Sequence, residues 1–154
     1  MKPVVLLAVG QTKNKAFAVL EADYSEKIAR YVRFESVLVK DAQDKDPKLK
    51  SKKECEALLP KLKSGDCVIV CDERGKSFSS VEFSKKMALW QETGKRLVFV
   101  IGGAFGLTDE FRKSATTLLR LTDFTLPHEL ARIVLLEQVY RGFSLLAGEK
   151  YHHE

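Results

Sequence analysis

Apolar and alternating runs at residues 3–9, 34–40, 67–71, 97–101 and 118–121 predict five β-strands. Helical spacing fills the intervals between them. Phe17, Leu20, Tyr24, Ile28 and Tyr31 recur at steps of three and four, which places them on one face of a helix over residues 15–31. Asp46-Pro47 opens a second helix, with a further capping pattern at Ser51-Lys52-Lys53-Glu54, an early end or kink at Pro60 and a stop at Ser64-Gly65-Asp66. The third begins at the capping box Ser79-Ser80-Val81-Glu82, turns Phe83, Met87 and Trp90 inward and ends at Gly94. Thr108-Asp109-Glu110 caps a short fourth helix that buries Phe111 and Ala115. The fifth runs over residues 128–146.

Strand and helix alternate from end to end, the pattern of an α/β fold with a mostly parallel five- or six-stranded sheet and helices on both faces. Ligands bind such sheets outside the carboxyl ends of the strands. Three segments fall there: residues 72–76, 102–106 and 122–127. Gly102-Gly103-Ala104-Phe105-Gly106 follows an apolar run, as a loop that lets a ligand approach the backbone would. It lacks the Gly-x-Gly spacing of a dinucleotide fingerprint and the Gly-Lys-Ser or Gly-Lys-Thr of a phosphate loop. A tight turn alone would also account for its glycines. In the last helix Leu130, Ile133, Leu136, Tyr140, Phe143 and Ala147 form an apolar stripe that Val134, Leu135, Val139 and Leu146 widen. A second packing partner is the simplest reason, and deep burial within one chain is the other.

With 154 residues the chain has the size of one domain, residues 1–154, built on a single core. No apolar run reaches the length of a membrane span, and the turn residues from Gly10 onward come too early for a signal-peptide core. Cys55, Cys67 and Cys71 form no CxxC pair and read as buried thiols in a reducing cytoplasm. The net charge of +5 biases the chain toward polyanions. Lys45, Lys48, Lys50, Lys52 and Lys53 cluster in one segment, which is either an anion-binding patch or a solvated face.

Five motifs in order, Cys71-Asp72-Glu73-Arg74-Gly75-Lys76, Ile101-Gly102-Gly103, Thr125-Leu126-Pro127-His128, Glu137-Gln138-Val139-Tyr140-Arg141 and Tyr151-His152-His153, resemble the RlmH family. These are small SPOUT-class methyltransferases of large-subunit ribosomal RNA, and the resemblance spans essentially the whole chain. It implies a parallel sheet whose C-terminal part forms a trefoil knot, S-adenosylmethionine as methyl donor, and N3 of a pseudouridine in 23S ribosomal RNA as acceptor on the assembled ribosome. It also implies a cytoplasmic homodimer with no metal and no membrane association.

By that resemblance Cys71, Gly102, Gly103, Leu121, Thr122, Asp123, Phe124, Thr125, Leu126 and Pro127 are the donor-binding candidates. His152, Tyr151, Arg141 and His128 are the catalytic ones. Attack by an imide nitrogen requires a group to take its proton, and histidine suits a step near neutral pH. His128 could equally be a capping or packing residue, and Arg141 an ion-pair partner of Glu137 at the i,i+4 spacing. A tail as short as 151–154 needs a partner to order it, which the family pattern makes the other subunit. Lys13, Lys15, Lys45, Lys48, Arg74 and Lys76 are candidate RNA contacts. A nucleotide- or flavin-binding protein without transferase activity and a non-enzymatic ribosome-associated factor are the rival readings.

Overall fold

Residues 2–153 are described by the computed structural model. They form β1 (Val4–Val9), α1 (Lys15–Ala29), β2 (Phe34–Val39), α2 (Pro47–Leu58), β3 (Cys67–Lys76), α3 (Ser80–Thr93), β4 (Leu97–Ile101), α4 (Asp109–Lys113), β5 (Thr117–Leu119) and α5 (His128–Leu146). The described strands make one sheet in the order β2-β1-β4-β3-β5, and every pairing is parallel.

Because strand side chains alternate, each central strand feeds two cores. Val4, Leu6 and Ala8 of β1, with Leu97, Phe99 and Ile101 of β4, meet Ile28 of α1, Phe83, Met87 and Trp90 of α3, and Leu135, Val139 and Phe143 of α5. Val5, Leu7 and Val9, with Val98 and Val100, meet Cys55 and Leu58 of α2 and Phe111 of α4. Helices therefore cover both faces. The capping box of α3 forms as its sequence predicts, the Ser79 hydroxyl accepting from the Glu82 amide at 3.1 Å while Glu82 accepts from the Ser79 amide at 3.2 Å.

The structure differs from the sequence reading at several points. β3 does not stop at Cys71; it runs on to Lys76, and Leu119 of β5 stands opposite both Cys71 and Lys76. Residues 72–76 are thus a strand continuation with a break in register. Gly75 permits this, since a Cβ there would lie 2.6 Å from the Leu118 carbonyl carbon. β5 is shorter than residues 118–121, and the chain from Arg120 leads directly into the loop before α5. α1 ends at Ala29, and Leu20 of its expected buried face is 40% exposed. The α2 cap is Asp46, whose side chain accepts from the Leu49 amide at 3.3 Å. Ser51 and Glu54 cap nothing and are buried inside the helix. The wide apolar surface of α5 is covered largely by α1 and α3 within the same chain, so its width is not evidence of a second subunit.

Candidate functional site

A cleft of about 1220 Å³ opens at the carboxyl ends of β3, β4 and β5. Of the donor-binding candidates, Cys71, Gly102, Gly103, Leu121, Thr122, Asp123, Phe124, Thr125 and Leu126 all line it. Pro127 stands outside the lining at the N-cap of α5, and His128, the first residue of that helix, is in the wall. Three segments far apart in sequence converge here because their strands lie side by side.

One wall is the glycine turn at 102–106, closed by the Gly106 amide donating to the Gly103 carbonyl at 3.0 Å. Gly106 has a φ of +74°, a left-handed conformation that favours glycine. The opposite wall is the segment 121–126, where the Thr122 hydroxyl accepts from the Phe124 amide at 3.3 Å. Phe124 is 82% exposed at the rim, and Phe105 on the glycine turn is 51% exposed. The cleft mixes apolar surface from Ile101, Leu121 and Leu126 with threonine hydroxyls and loop backbone. That combination suits a ligand with both apolar and polar parts. Small-molecule pockets typically measure roughly 300–1,000 Å³, so the cleft has room for one such ligand and more.

The Asp72 carboxylate organises the polar end. It accepts from the Arg74 amide at 2.9 Å and lies 3.5 Å from the Arg112 guanidinium. Burial, and then the Asp72 charge, push the Cys71 thiol up to about 12. At neutral pH Cys71 is therefore a thiol, and what it offers a ligand is backbone and apolar surface. Cys55 and Cys67 are buried free thiols.

Arg141, Tyr151 and His152 assemble elsewhere. Glu137 Oε1 accepts from Arg141 Nε at 3.0 Å and from the Tyr151 hydroxyl at 3.1 Å. Arg141 Nη1 lies 3.1 Å from His152 Nδ1, and the guanidinium sits 4.6 Å over the Tyr151 ring. The tail is thus folded on its own α5, where Tyr151 also packs edge-on against Tyr140 at 4.8 Å. Both sequence readings of Arg141, an ion pair with Glu137 and a place beside the catalytic tail, describe the same cluster. Its hydrogen bond to Glu137 pulls the Arg141 guanidinium up against the opposing effect of burial. None of the cluster's residues lines the cleft, and Arg141 lies about 20 Å along α5 from His128.

Of the candidate RNA contacts, Lys13, Lys15, Lys45, Lys48, Arg74 and Lys76 are all exposed. Lys48 and Arg74 stand at the cleft itself. Lys50 and Lys53 are engaged instead with Glu54 and Asp44, at 3.1 and 2.9 Å. The sequence reading missed Arg112 and Arg120, which also line the cleft, and on α2 Ser51 at its edge and Glu54 behind it. A capping pattern inside an already capped helix was the only signal for the last two. Among the described residues, no group of three or more His, Cys, Asp or Glu side chains is placed to hold a metal, and no helix is long and apolar enough to cross a membrane.

The model of a family described as predicted SPOUT methyltransferase matches residues 1–152. A protein of Maridesulfovibrio salexigens named ribosomal RNA large subunit methyltransferase H is 41% identical, with 99% of each chain covered. One of the same name from Solidesulfovibrio magneticus is 42% identical over 99% of this chain and 100% of its own. Another, from Flavobacterium johnsoniae, is 37% identical over 98% and 99%. Among solved structures, a probable methylase family protein of Haemophilus influenzae superposes with a TM-score of 0.53 at 16% identity, covering 99% of this chain and 70% of its own. A hypothetical protein superposes at 0.56 with 15% identity, covering 94% and 88%. These two likenesses concern the fold alone.

Proposed function

Since the chain belongs to the SPOUT methyltransferase family, and within it to the RlmH group, we propose that it methylates N3 of a pseudouridine in 23S ribosomal RNA. The methyl donor is S-adenosylmethionine and the substrate is the assembled ribosome in the cytoplasm. The observation that carries this is the convergence of the glycine turn and the 121–126 segment on one cleft, in a chain that aligns end to end with relatives so named. The unit is a single domain over residues 1–154. The family's trefoil knot is part of the proposal, supported by Leu119 standing opposite both Cys71 and Lys76 while Gly75 lies against the 118–119 backbone.

When bound, the donor supplies an activated methyl group on a sulfonium. The protein's own share is to hold and align the reactants and to leave the nucleophile without its proton. Gly102, Gly103 and residues 121–126 hold the donor, with Cys71 contributing backbone. Arg141 and the tail act on the RNA. An arginine only donates, so His152 Nδ1 accepts from Arg141 and the neutral ring carries its proton on Nε2. Transfer of Arg141 to an RNA phosphate frees Nδ1 to take the N3 proton. Tyr151 keeps its own proton at neutral pH and fixes Glu137, which in turn orients Arg141.

The separation along α5 supports a two-fold homodimer in which the tail of one chain completes the cleft of the other. Val19 and Leu20, 68% and 40% exposed on α1, offer apolar surface for that contact. With so small a chain, RNA is read by shape and phosphate on a preformed substrate, using Lys13, Lys15, Lys45, Lys48, Arg74 and Lys76. Incubation with labelled S-adenosylmethionine and ribosomes from a strain lacking this gene should label large-subunit RNA at one pseudouridine. Unlabelled RNA would remove the proposal. A thermal shift with flavin or nucleotide and none with S-adenosylmethionine would favour the first rival reading.

A further inference from the structure

Ser51, Glu54 and Cys55 occupy one face of α2, at positions i, i+3 and i+4. All three meet the backbone between Gly103 and Thr108, Ser51 at the edge of the cleft and Glu54 and Cys55 behind its wall. The Ser51 hydroxyl donates to the Phe105 carbonyl at 3.4 Å, and the Thr108 amide donates to the Cys55 sulfur at 3.4 Å. Between them lies Glu54, whose side chain has 0% exposure. Its Oε1 stands 2.6 Å from the place a Cβ on Gly103 would take. Only glycine lets the carboxylate come this close to the turn.

The two oxygens of that carboxylate are used unequally. Oε2 accepts from the Ala42 amide at 3.0 Å and from the Lys50 ammonium at 3.1 Å. Lys50 also donates to the Ala42 carbonyl and lies 3.9 Å from Asp41, so the carboxylate is pinned from the side away from the cleft. Oε1 is buried and has no hydrogen-bond partner among the described residues. A bare buried oxygen on a charged group is costly and persists where a partner arrives in another state. The backbone in front of it belongs to the turn at 102–106.

We propose that Glu54 is a positioning residue for the methyl donor: it supports the turn at 102–106 from behind, and its open Oε1 accepts a backbone N–H of that turn when the donor fills the cleft. The inference rests on reading the cleft as the donor site. Glu54 acts through the turn and touches neither the donor nor the RNA.

The test uses the full chain with S-adenosylmethionine, calorimetry for affinity, amide hydrogen exchange over residues 102–106, and turnover on ribosomes at saturating donor. Donor binding should protect the turn amides in the unaltered protein. Glu54→Ala should abolish that protection and weaken donor affinity about tenfold, with turnover at saturation within about twofold. Glu54→Gln, which keeps shape and one acceptor, should lose less. Gly103→Ala places a Cβ 2.6 Å from Oε1 and so displaces the carboxylate from behind the turn. Because Gly103 also lines the cleft, the effect of Gly103→Ala is read through its coupling to Glu54, with Glu54→Gln as the partner variant where Glu54→Ala fails to fold. It should also weaken the donor, and with a folded Glu54→Ala the two losses should be non-additive, because both changes break one contact. Folded variants with unaltered affinity and turn protection would overturn the role of Glu54, as would strictly additive losses. Failure of the unaltered protein to bind S-adenosylmethionine would overturn this inference together with the donor-site reading, an outcome distinct from intact binding that the variants leave unchanged.

Discussion

Two hydrogen bonds at the C-terminal end of the chain depend on phenols staying protonated, Tyr151 to Glu137 and Tyr31 to Glu149. Burial first, and then the Glu137 carboxylate, push Tyr151 up to about 12 from its ordinary 10.0. Burial and Glu149, whose carboxylate accepts from the Tyr31 hydroxyl at 2.6 Å, do the same to Tyr31. For a group whose folded pKa is raised, the folded state binds the extra proton, so its stabilising share is whole below the unfolded value and is lost as pH rises. The window here runs upward from pH 10 to about 12. Tyrosinate absorbance of the native protein should therefore include a late phase from these two residues, and Tyr151→Phe should remove one part of it. An unaltered late phase in that variant would show that Tyr151 is not held as described. Below pH 10 the donor bond from Tyr151 to Glu137 stays intact, which keeps Arg141 oriented throughout the range in which methylation is proposed.

Elements were legible in the sequence wherever one local rule decided them. The 3.6-residue spacing of Phe83, Met87 and Trp90 together with the Ser79 box fixes α3, and the unbroken apolar runs mark β1 and β4 as central strands buried on both faces. What local rules did not reach was decided by distant partners. Asp72 to Lys76 is polar and reads as a loop, yet Leu119 takes it into β3. Ser51 and Glu54 obey a capping pattern but serve a turn some fifty residues away. Arg132 is the clearest case, a charged residue in the first turns of α5 with 0% exposure. Its guanidinium donates to the Val9 and Gly10 carbonyls and, at 3.2 Å, to the Thr12 hydroxyl, which locks α5 to the end of β1. Burial pulls its pKa down, with Glu21 and Glu129 opposing that effect. Arg132→Met keeps most of the stem packing and leaves the two carbonyls bare, so it should cost about 3 kcal/mol. For a domain of this size that is a fall of roughly 6–12 °C in Tm, read from a thermal scan. A melting point unchanged within about 2 °C would mean that water satisfies those carbonyls instead.

At the scale of the molecule, the cleft and the tail cluster are separate places on one chain, set apart along α5. A helix cannot fold back on itself, so either a second chain unites them or only one of them takes part in the reaction. These alternatives separate in mixed dimers. Gly102→Val adds a side chain where even a Cβ would lie 2.9 Å from Leu107, which should distort the turn and disable the cleft while leaving the tail alone. His152→Ala disables the tail and leaves the cleft. Each homodimer should be nearly inactive on ribosomes, the second with donor affinity unchanged. In a heterodimer of the two, one of the composite sites receives an intact cleft from one chain and an intact tail from the other. Co-expression with random pairing makes about half the dimers mixed, each with one working site of two, so about a quarter of the unaltered activity should return. If each chain instead carried a complete site, neither variant could repair the other and the mixture would stay as inactive as its parts. The proposed phosphate recognition by exposed lysines and arginines predicts a steep loss of activity with added salt in both the unaltered and the mixed enzyme.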